Sequence, residues 1–226
     1  ICLGNGMEQM QNPARLNFET RETAILAAAR ALFADENWEL VTIDQIAVKA
    51  GIGKGTVYKH VTSKDELYAR LAIAIDKGLL EKVEAIAERD PPLVQLAAYI
   101  AAFWTLAALP APESHLADYC GRASFRRRLP VTMRAEWGAL EQELRDRLLR
   151  ILRQGVSEEL IEPKSDDLLL FGVQAALTGA LRIAWRSGAG AGRPERADEL
   201  ARFIISGLAT KQGRKALKKT PSLAAD

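Results

Sequence analysis

Two cysteines and two histidines are all that 226 residues supply, and these shortages remove whole classes of function. Cys2 and Cys120 lie far apart without companions, which excludes a disulfide framework or a Cys-rich metal site and suits a reducing cytosol. His60 and His115 are equally isolated, so a histidine metal cluster has no raw material. Stretches of alternating β-branched residues, the mark of strands, are missing. A charge excess is missing too: the formal net charge is +2, so any nucleic-acid partner must be met by a local patch. The opening ICLGNG lacks the basic start and long apolar run of a signal peptide. Met7 and Met10 each offer a natural start, and the residues before them are set aside from fold reasoning. The most membrane-like stretch, Leu168–Trp185, is interrupted by Gln174, Thr178 and Arg182. It reads as a buried helix, and no membrane partner is expected.

What is present is helical periodicity and enough apolar material, 48% of residues, to bury a core. Ile25, Leu26, Ala29, Leu32 and Phe33 share one face of a helix expected from about Thr20 to Asp35. Thr42-Ile43-Asp44-Gln45 is a capping box for a second helix, which Gly51 ends in the left-handed conformation glycine tolerates. A short third helix is expected from about Lys54 to Val61. Ser63-Lys64-Asp65-Glu66 caps a fourth, reaching about Arg89 and spanning roughly 35 Å, with Gly78 a soft point inside it. Asp90-Pro91-Pro92 starts a helix that continues to Leu109. Others are expected at about Glu113–Arg126, from Pro130 onward, at Asp166–Arg186, and from the glycine-rich Gly188–Pro194 to about Thr210. Along the helix after Pro130, Glu141–Arg145 and Glu143–Arg147 are spaced to pair at i, i+4.

The fold class expected is all-α, an N-terminal three-helix domain followed by a larger helical domain. Its parts are a flexible arm over 1–19, the small domain over 20–64, the larger domain over 65–210, and a flexible basic tail over 211–226. The tail carries Lys211, Arg214, Lys215, Lys218 and Lys219 with little apolar content and offers nonspecific attraction to DNA. Arg126-Arg127-Arg128 reads as a solvated helix end.

The stretch GIGKGTVYKHVTSKDEL, 51–67, carries the chemistry. A phosphate-cradling loop needs G-x-x-x-x-G-K-[ST] between a strand and a helix. Here Gly55 follows Gly53-Lys54 where Ser or Thr belongs, Val48 replaces the first glycine, and a helix precedes. A helix-turn-helix uses everything present: a supporting helix, a glycine turn, and a short helix presenting polar and aromatic side chains to a major groove. Over 42–64, Lys49, Lys54, Lys59 and Lys64 face Asp44 alone, a local excess able to neutralise phosphates. His60 ends this helix and is assigned a DNA contact; Arg15 and Arg21 are candidates for the backbone or minor groove.

Residues 42–67 resemble the N-terminal signature of the TetR/AcrR family of transcriptional regulators almost position for position. The resemblance implies phosphate contacts from Thr42 and Lys64, with Tyr58 lying against the DNA backbone. It implies base or phosphate contacts from Lys54, Gly55, Thr56, Lys59 and His60. Two departures stand out. Gly53 occupies a position usually Ser or Thr, removing a hydroxyl, and Lys59 replaces a frequent aromatic, offering a donor to guanine O6 and N7.

The resemblance further implies that 20–64 is a helix-turn-helix DNA-binding domain and 65–210 a helical ligand-binding and dimerisation domain, with a homodimer built on the last two helices. Gly172, Ala176 and Ala180 form a row where another helix can approach closely, and Ile183 and Phe203 are assigned to the same interface. Tyr99, Phe103, Trp104, His115, Tyr119, Trp137, Gln174 and Thr178 are candidate lining for a small-molecule cavity. They suit a core equally well, and the cavity itself rests on the resemblance. The partners expected are thus double-stranded operator DNA, a mainly apolar or aromatic effector, and a second copy of the chain. No cofactor or metal is expected. No Ser/His/Asp arrangement or dinucleotide fingerprint points to an enzyme. The function expected is a cytoplasmic, ligand-responsive repressor released by its effector; the rival is a helical adaptor whose helix-turn-helix binds protein.

Overall fold

A computed structural model describes residues 13–33, 37–187 and 195–219. Among these residues no strand forms, and an isolated antiparallel bridge joins Ile161 to Ala209. Packing divides the chain into two compact units, 1–71 and 72–226.

In the first unit, α1 (Pro13–Leu32) buries Ile25, Ala28 and Ala29, the face its periodicity marks. Trp38–Leu40 forms a 3-10 turn leading into α2 (Ile43–Ala50). Both halves of the capping box are present: the Thr42 hydroxyl accepts from the Gln45 N–H at 3.3 Å, and Gln45 Oε1 accepts from the Thr42 N–H at 2.8 Å. Gly51 ends α2 at φ 67°, a conformation costly for any residue with a Cβ. Next come α3 (Lys54–His60) and α4 (Lys64–Glu84), whose start belongs to this unit. Tyr68 of α4 packs its ring against Phe33 and Trp38, at 4.6 and 5.1 Å between centroids. That packing is why the division falls after Leu71 and not at 64/65.

The second unit contains the rest of α4, then α5 (Pro92–Trp104), α6 (Ala111–Cys120), α7 (Ala123–Arg126), α8 (Val131–Ser157), α9 (Asp166–Ser187), α10 (Glu195–Leu208) and α11 (Lys211–Lys219). Helix α5 packs on α8, α9 and α10, with Leu96, Ile100, Leu148, Leu152, Val173 and Ile205 in one buried cluster. Helix α9 is long and apolar enough to cross a membrane by length and composition. One of its faces is core, through Leu169, Val173, Leu177 and Leu181.

Several expectations are corrected. Helix α1 starts at Pro13, so part of the presumed arm, 13–19, is helical. Helix α4 ends at Glu84 instead of reaching Arg89. The single helix expected at 113–126 is two, broken around Gly121 and Arg122. The spacing pairs of α8 form elsewhere: Glu141 binds Arg126 and Arg147 binds Glu88. Arg126 also lies 3.2 Å over the Trp137 ring, so the arginine triplet is not merely solvated. The presumed flexible tail is helical over 211–219. The Thr210 hydroxyl accepts from the Gly213 N–H at 3.0 Å, capping α11, and donates to the Glu159 carbonyl at 2.7 Å, while Leu217 is buried. The residues before Pro13, the loop 188–194, residues 220–226 and the side chain of Arg15 lie outside the described residues.

Candidate nucleic-acid interface and effector cavity

Helix α3 is short but well backed. Its single apolar residue, Val57, is fully buried, which turns Lys54, Gly55, Tyr58 and Lys59 outward. Tyr58 is 50% exposed, a large ring offered to solvent by a helix whose other face is core. Thr56 is half-buried, and Thr42 is exposed at the start of α2, where its hydroxyl already serves the cap. Lys54 Nζ lies 2.7 Å from Asp44 Oδ1. A hydrogen bond and the charge of Asp44 hold the Lys54 ammonium above its usual range. Gly53 begins α3 without a side-chain cap, leaving its first N–H groups unserved by protein side chains. Lys64 Nζ donates to the Glu39 carbonyl and stands 5.5 Å from the Tyr68 ring centroid. Exposed Arg21 sits on α1.

His60 does not join this surface. It is 6% exposed and stacks on Phe18 of α1, centroids 4.0 Å apart, so the expected DNA contact is corrected to a packing role. The turn of the chain at this point is set by groups the sequence reading passed over. Arg70 donates to the His60 carbonyl at 3.0 Å and pairs with Glu66 and Glu22. The i, i+4 spacing of Glu66 and Arg70 is the signal that marks them.

Of the eight cavity candidates, four come together. Tyr99, Phe103, Gln174 and Thr178 line a cavity of about 320 Å³ in the second unit. Tyr99 is buried, which pushes its phenol up to about 12. Trp137 is buried beside the cavity and donates from Nε1 to Asp76 at 2.7 Å. The other three fall elsewhere. Trp104 packs with Leu181, Ala184 and Ala197, His115 is exposed, and Tyr119 packs on Phe125 while accepting from Arg128 at 2.9 Å. Asp76 and Glu141 line the cavity unforeseen. Asp76 falls in register with Ile73, Leu79 and Val83, an acid on the apolar stripe of α4, and that misplacement is legible in the sequence.

On α9 and α10, Leu168, Phe171, Ile183 and Phe203 are 51%, 67%, 68% and 78% exposed. Gly172, Ala176 and Phe203 line a hollow of about 620 Å³ that also touches Arg214 of α11. Ala180 sits partly buried against the Trp104 cluster. No cluster of metal-ligating side chains occurs among the described residues.

Residues 25–71 match the family of bacterial regulatory proteins, tetR family. The HTH-type transcriptional activator FasR of Mycolicibacterium smegmatis is 39% identical over 54 residues, 24% of this chain and 25% of that protein. The matched stretches cover 40% or less of the curated relatives' own length. Among solved structures, a tetR-family regulatory protein from Rhodococcus RHA1 superposes with TM-score 0.68 at 17% identity, over 84% of this chain and 97% of that one. FadR of Bacillus subtilis, solved with stearoyl-CoA, superposes with TM-score 0.63 at 18% identity, over 82% and 98%. At these identities the likeness establishes the fold.

Proposed function

We propose that this chain, a member of the tetR family of bacterial regulatory proteins through its residues 25–71, is a cytoplasmic, ligand-responsive regulator, not an enzyme. It binds a palindromic operator as a homodimer and is released by a small molecule. The observation that carries this reading is the outward face of α3, where Lys54, Gly55, Tyr58 and Lys59 stand exposed on a helix pinned from behind by Val57. Phosphate contacts from Thr42, Tyr58 and Lys64 position the helix, and Lys54, Thr56 and Lys59 address base edges. The Asp44–Lys54 pair exchanges carboxylate for phosphate or base on binding. Residues 20–71 form the DNA-binding domain, and 72–219, α11 included, form the effector and dimer domain. Gly172, Ala176, Ala180, Ile183 and Phe203 belong to the dimer face.

An effector shifts such a dimer only through different affinities for its binding and non-binding states. Helix α4 carries both Lys64 and the cavity residue Asp76, which makes it the lever. Repression relieved by ligand is the direction proposed; a reporter assay with and without effector reads the sign.

The test is titration of the purified protein against labelled DNA flanking its own gene, at stated salt, with scrambled competitor. Tyr58→Ala and Lys64→Ala each lower operator affinity at least tenfold, and the lysine variant lowers the log–log salt slope by about 1. Selective binding unaffected by both variants, or none at any salt, sinks the proposal and leaves the adaptor reading.

A further inference from the structure

We infer that the cavity beside α4 takes a compact apolar cation, an amine or quaternary ammonium, whose charge sits at Asp76. The inference rests on the effector-responsive reading above and gives the effector a chemical class. About 320 Å³ lies at the small end of ligand pockets, roughly 300–1,000 Å³. Leu79, Leu144 and Leu177 supply apolar wall. Tyr99 and Phe103 line the same cavity, their rings 6.4 Å apart and near parallel, at 20°, and aromatic rings attract cations.

Asp76 shares the lining with Glu141, Arg145, Gln174 and Thr178, and its hydrogen bonding leaves acceptor positions open to a positive charge. Trp137 Nε1 holds Oδ2 at 2.7 Å, which fixes the carboxylate but uses one of about four acceptor positions. The neighbouring basic groups are committed elsewhere. Arg126 stacks on Trp137 and binds Glu141 at 2.5 Å, so it orients the indole and neutralises the second acid of the cavity. Lys77 pairs with Glu136 at 3.0 Å. Arg145 also lines the cavity but is exposed, so water already serves it and an anion gains little there. Burial above all, with the charge of Glu141, pushes the Asp76 carboxyl above its usual range, against the Trp137 hydrogen bond and the charge of Arg126. A carboxylate only partly open to water gains from an arriving cation, whereas alkyl carbon laid against it removes the water it still has and supplies no partner. A fatty-acyl tail is for that reason a poor occupant.

Matched ligands of three charges test this. Phenethyltrimethylammonium, its neutral isostere 3,3-dimethylbutylbenzene and 4-phenylbutyrate are titrated into the full chain by calorimetry and tryptophan fluorescence, and the cation is titrated again into Asp76→Asn and Asp76→Glu. The cation is expected to bind at least tenfold tighter than either partner, to lose at least tenfold in Asp76→Asn, and to recover in Asp76→Glu. The wild-type ratio needs no variant, so a misfolded Asp76→Asn does not spare the inference. Equal or tighter binding of the neutral or anionic ligand, no cation binding at millimolar concentration, or indifference to Asp76→Asn overturns it. The same ligands added to the operator complex separate the two readings. Asp76-dependent cation binding that leaves operator affinity unchanged sinks the regulator mechanism and keeps the site. Release by neutral or anionic compounds alone does the reverse.

Discussion

Glu66 does at the start of α4 what a capping carboxylate does, but one residue further back than the capping box implies. Ser63 Oγ accepts from the Glu66 N–H at 3.2 Å as expected, yet the carboxylate reaches Thr62, taking its N–H at 2.7 Å and its hydroxyl at 2.8 Å. Burial alone would raise the Glu66 carboxyl; the Thr62 bonds and Arg70 outweigh it and hold the group below its ordinary value of 4.5. A carboxylate depressed in the folded state stabilises above its unfolded value, and that stability is lost as pH falls through the folded value. Glu66→Gln therefore costs about 1–3 kcal/mol near neutral pH, and the gap to wild type closes in acid; urea melts at both pH values read it. The same scale shows what sequence could and could not give. The capping pairs at Thr42 and Ser63 are local and legible. Which side of α3 His60 faces depends on Phe18 of α1, a contact over forty residues away in sequence with no periodic signal at all.

At the scale of elements, helices whose stability is local were found within a few residues, and those made by docking were not. Helix α11 reads as a solvated basic tail because Lys211, Arg214, Lys215 and Lys218 dominate it. What orders it is a strap from the end of α8: the Thr210 N–H donates to Leu160 O at 3.1 Å, and the Glu162 N–H donates to Leu208 O at 2.8 Å. Gly213 lets the helix close on that strap. A Cβ there would stand 2.1 Å from Leu160 O, a backbone atom with no rotamer to yield, and 3.1 Å from the Ala209 Cβ. Gly213→Ala is expected to destabilise the second unit by about 1–3 kcal/mol and to open α11 to trypsin at its lysines. An intact α11 with unchanged melting would refute that role. The break between α6 and α7 has no proline. Leu116 and Phe125 are each buried yet would stand about 180° apart on one continuous helix, and that mismatch is the local mark of the change of direction.

For the whole molecule, composition said least. A net charge of +2 conceals basic concentrations on α3 and its flanks and on α11, and apolar content does not distinguish core from a face awaiting a partner. The distinction lies in exposure. On α9 the residues Leu169, Val173, Leu177 and Leu181 are core, while Phe171 and Ile183 stand in solvent, as does Phe203 of α10. Phe203 lines a hollow of about 620 Å³ with Gly172, Val173 and Ala176 of α9, and large exposed apolar side chains on both helices are what a face awaiting a partner shows. In the proposed homodimer a second copy of the same face would cover it under two-fold symmetry, with Phe203 near Gly172, where no neighbouring atom stands within 4 Å of an added Cβ. Phe203→Glu places a charge in that contact while touching no core residue, so helicity and thermal stability of the monomer are preserved. Sedimentation at micromolar concentration then shows a monomer where wild type is a dimer. Affinity for a full palindrome falls at least tenfold, because two half-sites no longer bind as one ligand, while affinity for an isolated half-site is unchanged. A dimer that survives the substitution places the two-fold axis on another face.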